Sequence, residues 1–141
     1  MILSSLSKPR GDIVRDLYYQ LEPMEQGRLI TVLRGRILDV AVDIRRGSPW
    51  YGKYVAAELS GDNHLLLWIP PGFAHGFQAL EDDTIVLYLV TKEYSPEHER
   101  CIRWDDPEIS IDWPVKPAIV SEKDKKCPPL SQAETNFKYP F

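Results

Sequence analysis

Residues 37–44 read ILDVAVDI, and their alternation restricts the backbone more than any other feature of the chain. Leu38, Val40, Val42 and Ile44 fall on one side of an extended segment, and Ile37, Asp39, Ala41 and Asp43 on the other. The two-residue period returns in GKYVAAEL, residues 52–59, where Val55, Ala57 and Leu59 share a face. SGDN at 60–63 then supplies turn chemistry before HLLLWIP. TIVLYLVT, residues 84–91, is apolar on both faces, as expected of a strand held between two packed layers. Short strands at this spacing predict an all-β sandwich or jelly roll rather than a helical fold.

The character of the chain changes after WDDPEISIDWP. From about Val115 the tail is proline-rich, and SEKDKK has room for one helical turn. We expect this irregular tail to wrap the strands rather than form a second domain. A length of 141 residues then predicts one domain, 1–141, large enough to bury a core. A formal charge of −4 gives no ground for a nucleic-acid partner. No apolar run approaches membrane-spanning length, and MILSSLSKPRGD lacks a signal-peptide pattern. The expectation is a cytoplasmic protein with no membrane partner. Cys101 and Cys127 lie too far apart for C-x-x-C chemistry and are too few for a structural zinc site.

IPPGFAHGF, residues 69–77, places two prolines, two glycines and two phenylalanines around His75. One reading is a tight turn with a half-buried, hydrogen-bonded histidine. The other is a turn that aims an imidazole into a pocket.

The stretch from Gly35 to Phe77, followed by YSPEHERCIRWDDP and VSEKDKKCPPLSQAE, closely resembles the dTDP-4-dehydrorhamnose 3,5-epimerases. The resemblance runs from about Ser4 to Glu134. It implies a cupin-type jelly-roll barrel with an irregular C-terminal tail, a homodimer, no cofactor, and a dTDP-4-keto-6-deoxyhexose as substrate in deoxysugar biosynthesis. PPGFAH also resembles the second cupin motif, with Pro70, Gly72 and His75 in place. The paired histidines of the first motif are missing, and His64 and His98 have no ligand partners at a useful spacing, so we expect no metal.

Epimerisation beside a ketone needs a base for a carbon-bound proton, a donor or cation for the enolate, and an acid on the opposite face. The family is similar throughout in using a histidine–aspartate pair, a lysine and a tyrosine. Carried onto this chain, the resemblance implies that Tyr88 is the acid and Asp124 the aspartate that orients the base. It also implies substrate contacts from His75, Tyr94 and Gln20, and a diphosphate contact from Arg15, whose guanidinium can bind phosphate oxygens bidentately. Read without the resemblance, Tyr88 is a core or interface tyrosine, Asp124 a solvated tail charge, and Arg15 an exposed strand charge.

The chain departs from the family at the base. The motif L-R-G-L-H-Y-Q stands here as VRDLYYQ, residues 14–20, so Tyr18 replaces the histidine and Asp16 the glycine. Arg28, in QGRL, replaces the lysine and keeps a cation for the oxyanion. A phenol with an ordinary pKa of about 10 is a poor base at neutral pH, so a tyrosine base would need Arg28 to lower it. Family members also carry an N-terminal segment ahead of this motif that contacts the thymine, partly across the dimer, whereas this chain starts close to the motif. Tyr18, Tyr88, Arg28 and Asp124 are therefore the candidate catalytic set of a divergent isomerase. The alternatives are a paralogue that holds a sugar nucleotide without turnover and a structural remnant. The retained Asp124, Tyr88, His75 and Arg15 argue against the remnant.

Overall fold

The ILDVAVDI alternation becomes strand β4 (Arg36–Asp43), which lies inside a sheet buried on both faces. The computed structural model describes residues 2–7, 11, 13–116 and 118–140. The larger sheet runs β10 (Ile119–Val120), β2 (Ile13–Gln20), β7 (Phe73–Ala79), β4 and β5 (Tyr54–Ser60). A further strand, β9 (Glu99–Ile102), also pairs with β2. The smaller sheet runs β1 (Ile2–Ser7), β8 (Ile85–Val90), β3 (Arg28–Arg34) and β6 (Leu66–Ile69). Among the described residues, the β10–β2 pair is parallel and the other pairs of named strands are antiparallel.

The two faces of β4 serve two cores. Ile37 and Ala41 join Leu59 and Phe77 against Ile30, Val32, Ile69 and Val86 of the smaller sheet. Val40, Val42 and Ile44 join Val14 and Leu17 on the other face, where Trp113 and, from the C-terminal tail, Leu130 and Phe137 cover them. Side chains as fully buried as Leu17 and Phe137 each contribute on the order of 1.5–3 kcal/mol. The tail is thus half of a core. Gln78 ties it down with a two-way amide clasp on Val115, Nε2 to O at 3.0 Å and N to Oε1 at 3.0 Å. The SEKDKK segment forms the expected turn, α1 (Glu122–Lys125), with Ser121 Oγ accepting from Asp124 N at 3.1 Å.

The barrel expected of a cupin jelly roll is not what the chain builds. Among the described residues, four strands form one sheet and six the other, and no ladder passes between them. The architecture is an open two-layer sandwich. Chain reversals change sheets without carrying the hydrogen bonding across. Gly35 alone separates β3 in one sheet from β4 in the other, at φ +87°, where an added Cβ would lie 2.3 Å from Thr84 Oγ1. The Pro71–Gly72 turn likewise leads from β6 into β7 of the opposite sheet. No described helix is long and apolar enough to cross a membrane.

Candidate active site

His75 is not in the turn that the IPPGFAHGF punctuation marks. It is the third residue of β7, directly paired with Tyr18 of β2. The pairing carries a register shift between Arg15 and Tyr18 that spends two residues on one alternation step. Val14, Leu17 and Tyr19 consequently face the tail-side core, while Arg15 and Tyr18 face the space between the sheets. Gly76 permits the bulge. An added Cβ there would lie 2.5 Å from the Arg15 carbonyl oxygen and 2.9 Å from that of Asp16.

A cavity of about 560 Å³ opens between the sheets at this end. Arg15, Tyr18 and His75 reach it from the larger sheet, Arg28 and Tyr88 from the smaller one, and Asp124 from α1. Tyr94 lies at the exposed edge, its hydroxyl 3.3 Å from Glu99 Oε1. Seven of the eight residues singled out from sequence therefore line one cavity. Gln20 does not. Its amide donates to the Met24 and Glu93 carbonyls at 2.7 and 3.2 Å and accepts from Ser95 N at 2.8 Å, so it braces the loops beside the cavity.

His75 is buried and held from both sides. Its Nε2 lies 2.6 Å from Asp39 Oδ1, and its Nδ1 lies 3.2 Å from Arg28 Nη1. A guanidinium has no acceptor, so we assign Nδ1 as the accepting nitrogen and Nε2–H as donor to Asp39. Asp39 itself is fully buried, and its Oδ2 has no hydrogen-bond partner. The ring of His75 meets Tyr88 edge to face, with centroids 5.8 Å apart. Burial pushes the Tyr88 phenol up, the Asp39 charge adds to this, and Arg28 and Arg15 oppose it. Tyr88 is therefore a protonated donor. Burial lowers Arg28 from its ordinary value, but a guanidinium stays charged.

Tyr18 and Asp124 are in contact. The phenol donates to Asp124 Oδ1, and the Asp16 backbone N–H donates to Oδ2 at 2.9 Å. Far from being a solvated tail charge, Asp124 is buried. The phenol of Tyr18 is raised by burial, by its bond to Asp124 and by the charges of Asp124, Asp16 and Glu99. The shift is upward, so the lowered pKa that a tyrosine base requires is absent. Asp16, standing on the bulge, is fully buried with neither carboxylate oxygen hydrogen-bonded. Burial and the adjacent Asp124 push it from 3.8 up to about 8, so it holds a proton at neutral pH.

Asp16, Asp124 and Cys127 each bring one ligand-type atom within 4.8 Å of the others. They make a poor metal set. The Cys127 sulfur is bonded to Cys101, and both Asp124 oxygens are already engaged. That disulfide, unsignalled by the cysteine spacing, staples α1 and Asp124 to β9, where Cys101 is the register partner of Tyr18. Nothing in the family motif singles out Asp39 either. The signal that could have found it is a carboxylate set between Ile37 and Ala41 on one face of ILDVAVDI, which must find a partner when that face is buried.

The model of the family described as dTDP-4-dehydrorhamnose 3,5-epimerase matches residues 2–132. A protein of that name from Sinorhizobium fredii is 52% identical over 136 residues, covering 96% of this chain and 69% of its own length. The crystal structure of the Sulfolobus tokodaii epimerase of the same name superposes with a TM-score of 0.88 at 58% identity, covering 95% of this chain and 73% of that one. The Legionella pneumophila dTDP-6-deoxy-D-glucose-3,5-epimerase, solved in complex with dTDP-4-keto-L-rhamnose, superposes with a TM-score of 0.92 at 39% identity, covering 97% and 74%. With nearly the whole chain inside the match, this protein belongs to the dTDP-4-dehydrorhamnose 3,5-epimerase family.

Proposed function

We propose that the protein is a sugar-nucleotide isomerase that moves protons beside the ketone of a dTDP-4-keto-6-deoxyhexose. The observation that carries this is the convergence of Arg28, His75 and Tyr88 in one cavity between the sheets. A cation, an imidazole and a neutral phenol are the three groups that enolate chemistry needs. In this reading Arg28 holds the developing oxyanion, Tyr88 returns a proton to carbon, and Arg15 meets the diphosphate at the rim. Tyr94 packs against the nucleotide end of the ligand, and Asp124 holds position 18 in place. Incubation with dTDP-4-keto-6-deoxyglucose, followed by NMR of the sugar, tests it. Appearance of an epimer supports turnover. A ligand that binds and is recovered unchanged supports the second reading.

That second reading, a sugar-nucleotide-binding paralogue without turnover, is favoured by one specific contact. Tyr18 is locked on Asp124 as a neutral phenol where the family motif has a histidine. A cytoplasmic setting carries a condition. Disulfides persist there chiefly in hyperthermophiles, so the state of Cys101 and Cys127 is to be read by thiol titration in cell extract.

The outward face of the smaller sheet supports a homodimer. Leu33 and Leu66 are more than half exposed and Trp68 nearly so, on adjacent strands. A patch of this kind is suited to a self-complementary two-fold contact. Sedimentation should give a dimer at micromolar concentration, and a monomer there would remove the assignment.

A further inference from the structure

We propose that His75, rather than the side chain at position 18, is the general base of this chain. This rests on the isomerase reading above and deepens it. Four observations carry it. First, His75 is the direct cross-strand partner of Tyr18 and faces the same cavity. Paired residues on neighbouring antiparallel strands lie about 4.5–5.5 Å apart, so a base at His75 approaches a bound sugar from the same sheet as position 18. Second, its Nε2–H is fixed on Asp39 at 2.6 Å, which leaves Nδ1 as the nitrogen with a lone pair. Third, Asp39 is fully buried with one oxygen unpartnered, a carboxylate whose cost falls when the imidazole beside it becomes a cation. Fourth, the group covering Nδ1 is Arg28, a cation that a developing enolate oxygen would attract.

The step balances without any co-reactant. The C–H bond beside the ketone breaks, its proton goes to Nδ1, and its electron pair becomes the enolate, whose oxygen meets Arg28. As Arg28 turns to that oxygen it uncovers Nδ1, so substrate binding and exposure of the base are one motion. Asp39 offsets the imidazolium. Tyr88, from the facing sheet, donates its proton to the carbon. The proton gained by His75 and the one lost by Tyr88 are then exchanged with solvent, which closes the cycle.

The test uses the full chain in deuterium oxide with dTDP-4-keto-6-deoxyglucose, reading deuterium at the carbons flanking the ketone, with dTDP binding measured calorimetrically on the same samples. We expect wild type to bind and exchange. We expect His75→Asn to bind dTDP comparably and to exchange at least 10²-fold more slowly, about the low end of what a positioned base contributes. Tyr18→Phe should lose less than ten-fold. Should His75→Asn fail to fold, His75→Gln, whose amide N–H can replace Nε2–H on Asp39, gives the same comparison. Exchange by either His75 variant within a few-fold of wild type overturns the proposal, as does loss of exchange in Tyr18→Phe with His75 intact. Binding without exchange by wild type overturns the base while leaving the binding reading standing. Failure to bind dTDP removes the isomerase reading itself.

Discussion

Two aspartates on one face of β4 meet opposite fates. Asp43 accepts from Arg45 at 3.0 and 2.7 Å and from Ser48 at 2.6 Å. Burial pushes it upward, but these bonds outweigh burial and hold it below its ordinary value. Asp39 has only His75 and an orphaned oxygen. The former is structural saturation, and the latter is a carboxylate held in reserve. Asp16 is a different kind of reserve, a carboxyl raised to about 8 by burial and by Asp124. The folded chain keeps its proton across a window in which the unfolded chain has lost it. Stability from this group is therefore complete below about pH 4 and falls as pH rises towards about 8, by up to about 1.4 kcal/mol per pH unit. Asp16→Asn should flatten that slope between pH 5 and 8 in denaturant titrations, and an unchanged slope would mean the carboxyl is not protonated in the fold. At position 18, Tyr18→His would set an imidazole beside Asp124 and provide a second base. Solvent exchange should quicken by about ten-fold or more, below the full 10²–10⁴ of a newly positioned base if His75 serves as proposed. That Tyr88, His75 and Asp124 meet at one cavity was legible because motif positions survive in the chain. The partners were not, because Asp39 and His75 lie 36 residues apart and only the sheet register brings them together.

Among the elements, the tail contributes most beyond what its composition suggests. Its prolines and lone helical turn read as wrapping, yet it buries Leu130 and Phe137 and delivers Asp124 to Tyr18. The Cys101–Cys127 bond closes a 26-residue separation between β9 and the end of this delivery arm. A loop of that size stabilises by roughly 3 kcal/mol in the chain-entropy account. Cys101→Ser, or reduction by a dithiol, should lower the melting temperature by about 10 °C in calorimetry. An unchanged melting point would mean that the core around Phe137 holds the tail unaided. The strands themselves were legible from alternation, β4 most of all. The bulge in β2 was not, since an extra residue leaves the apolar pattern of Val14, Leu17 and Tyr19 looking like imperfect alternation. Only the clearance around Gly76 explains it.

At the scale of the molecule, the two-layer arrangement was readable and its closure was not. Apolar residues on both sides of β4 require packing on both faces, and the two cores satisfy that requirement. Whether edge strands join depends on ladders between distant segments, which no local pattern specifies, and the expected barrel gave way to two open sheets. The openness has a use. The sheets are joined by sharp turns at Gly35 and Pro71–Gly72, and the cavity lies between them with Arg28 and Tyr88 on one wall and Tyr18 and His75 on the other. A sugar nucleotide entering past Arg15 and Tyr94 would place its ketone between those walls. In the function proposed here, this cavity removes carbon-bound protons despite the tyrosine at position 18. Wild-type protein, incubated in deuterium oxide with dTDP-4-keto-6-deoxyglucose and followed by NMR, measures that directly, because exchange registers even when no net product accumulates. Deuterium is expected at a carbon beside the ketone, at a rate well above the protein-free control. Bound substrate that keeps its protons would contradict it.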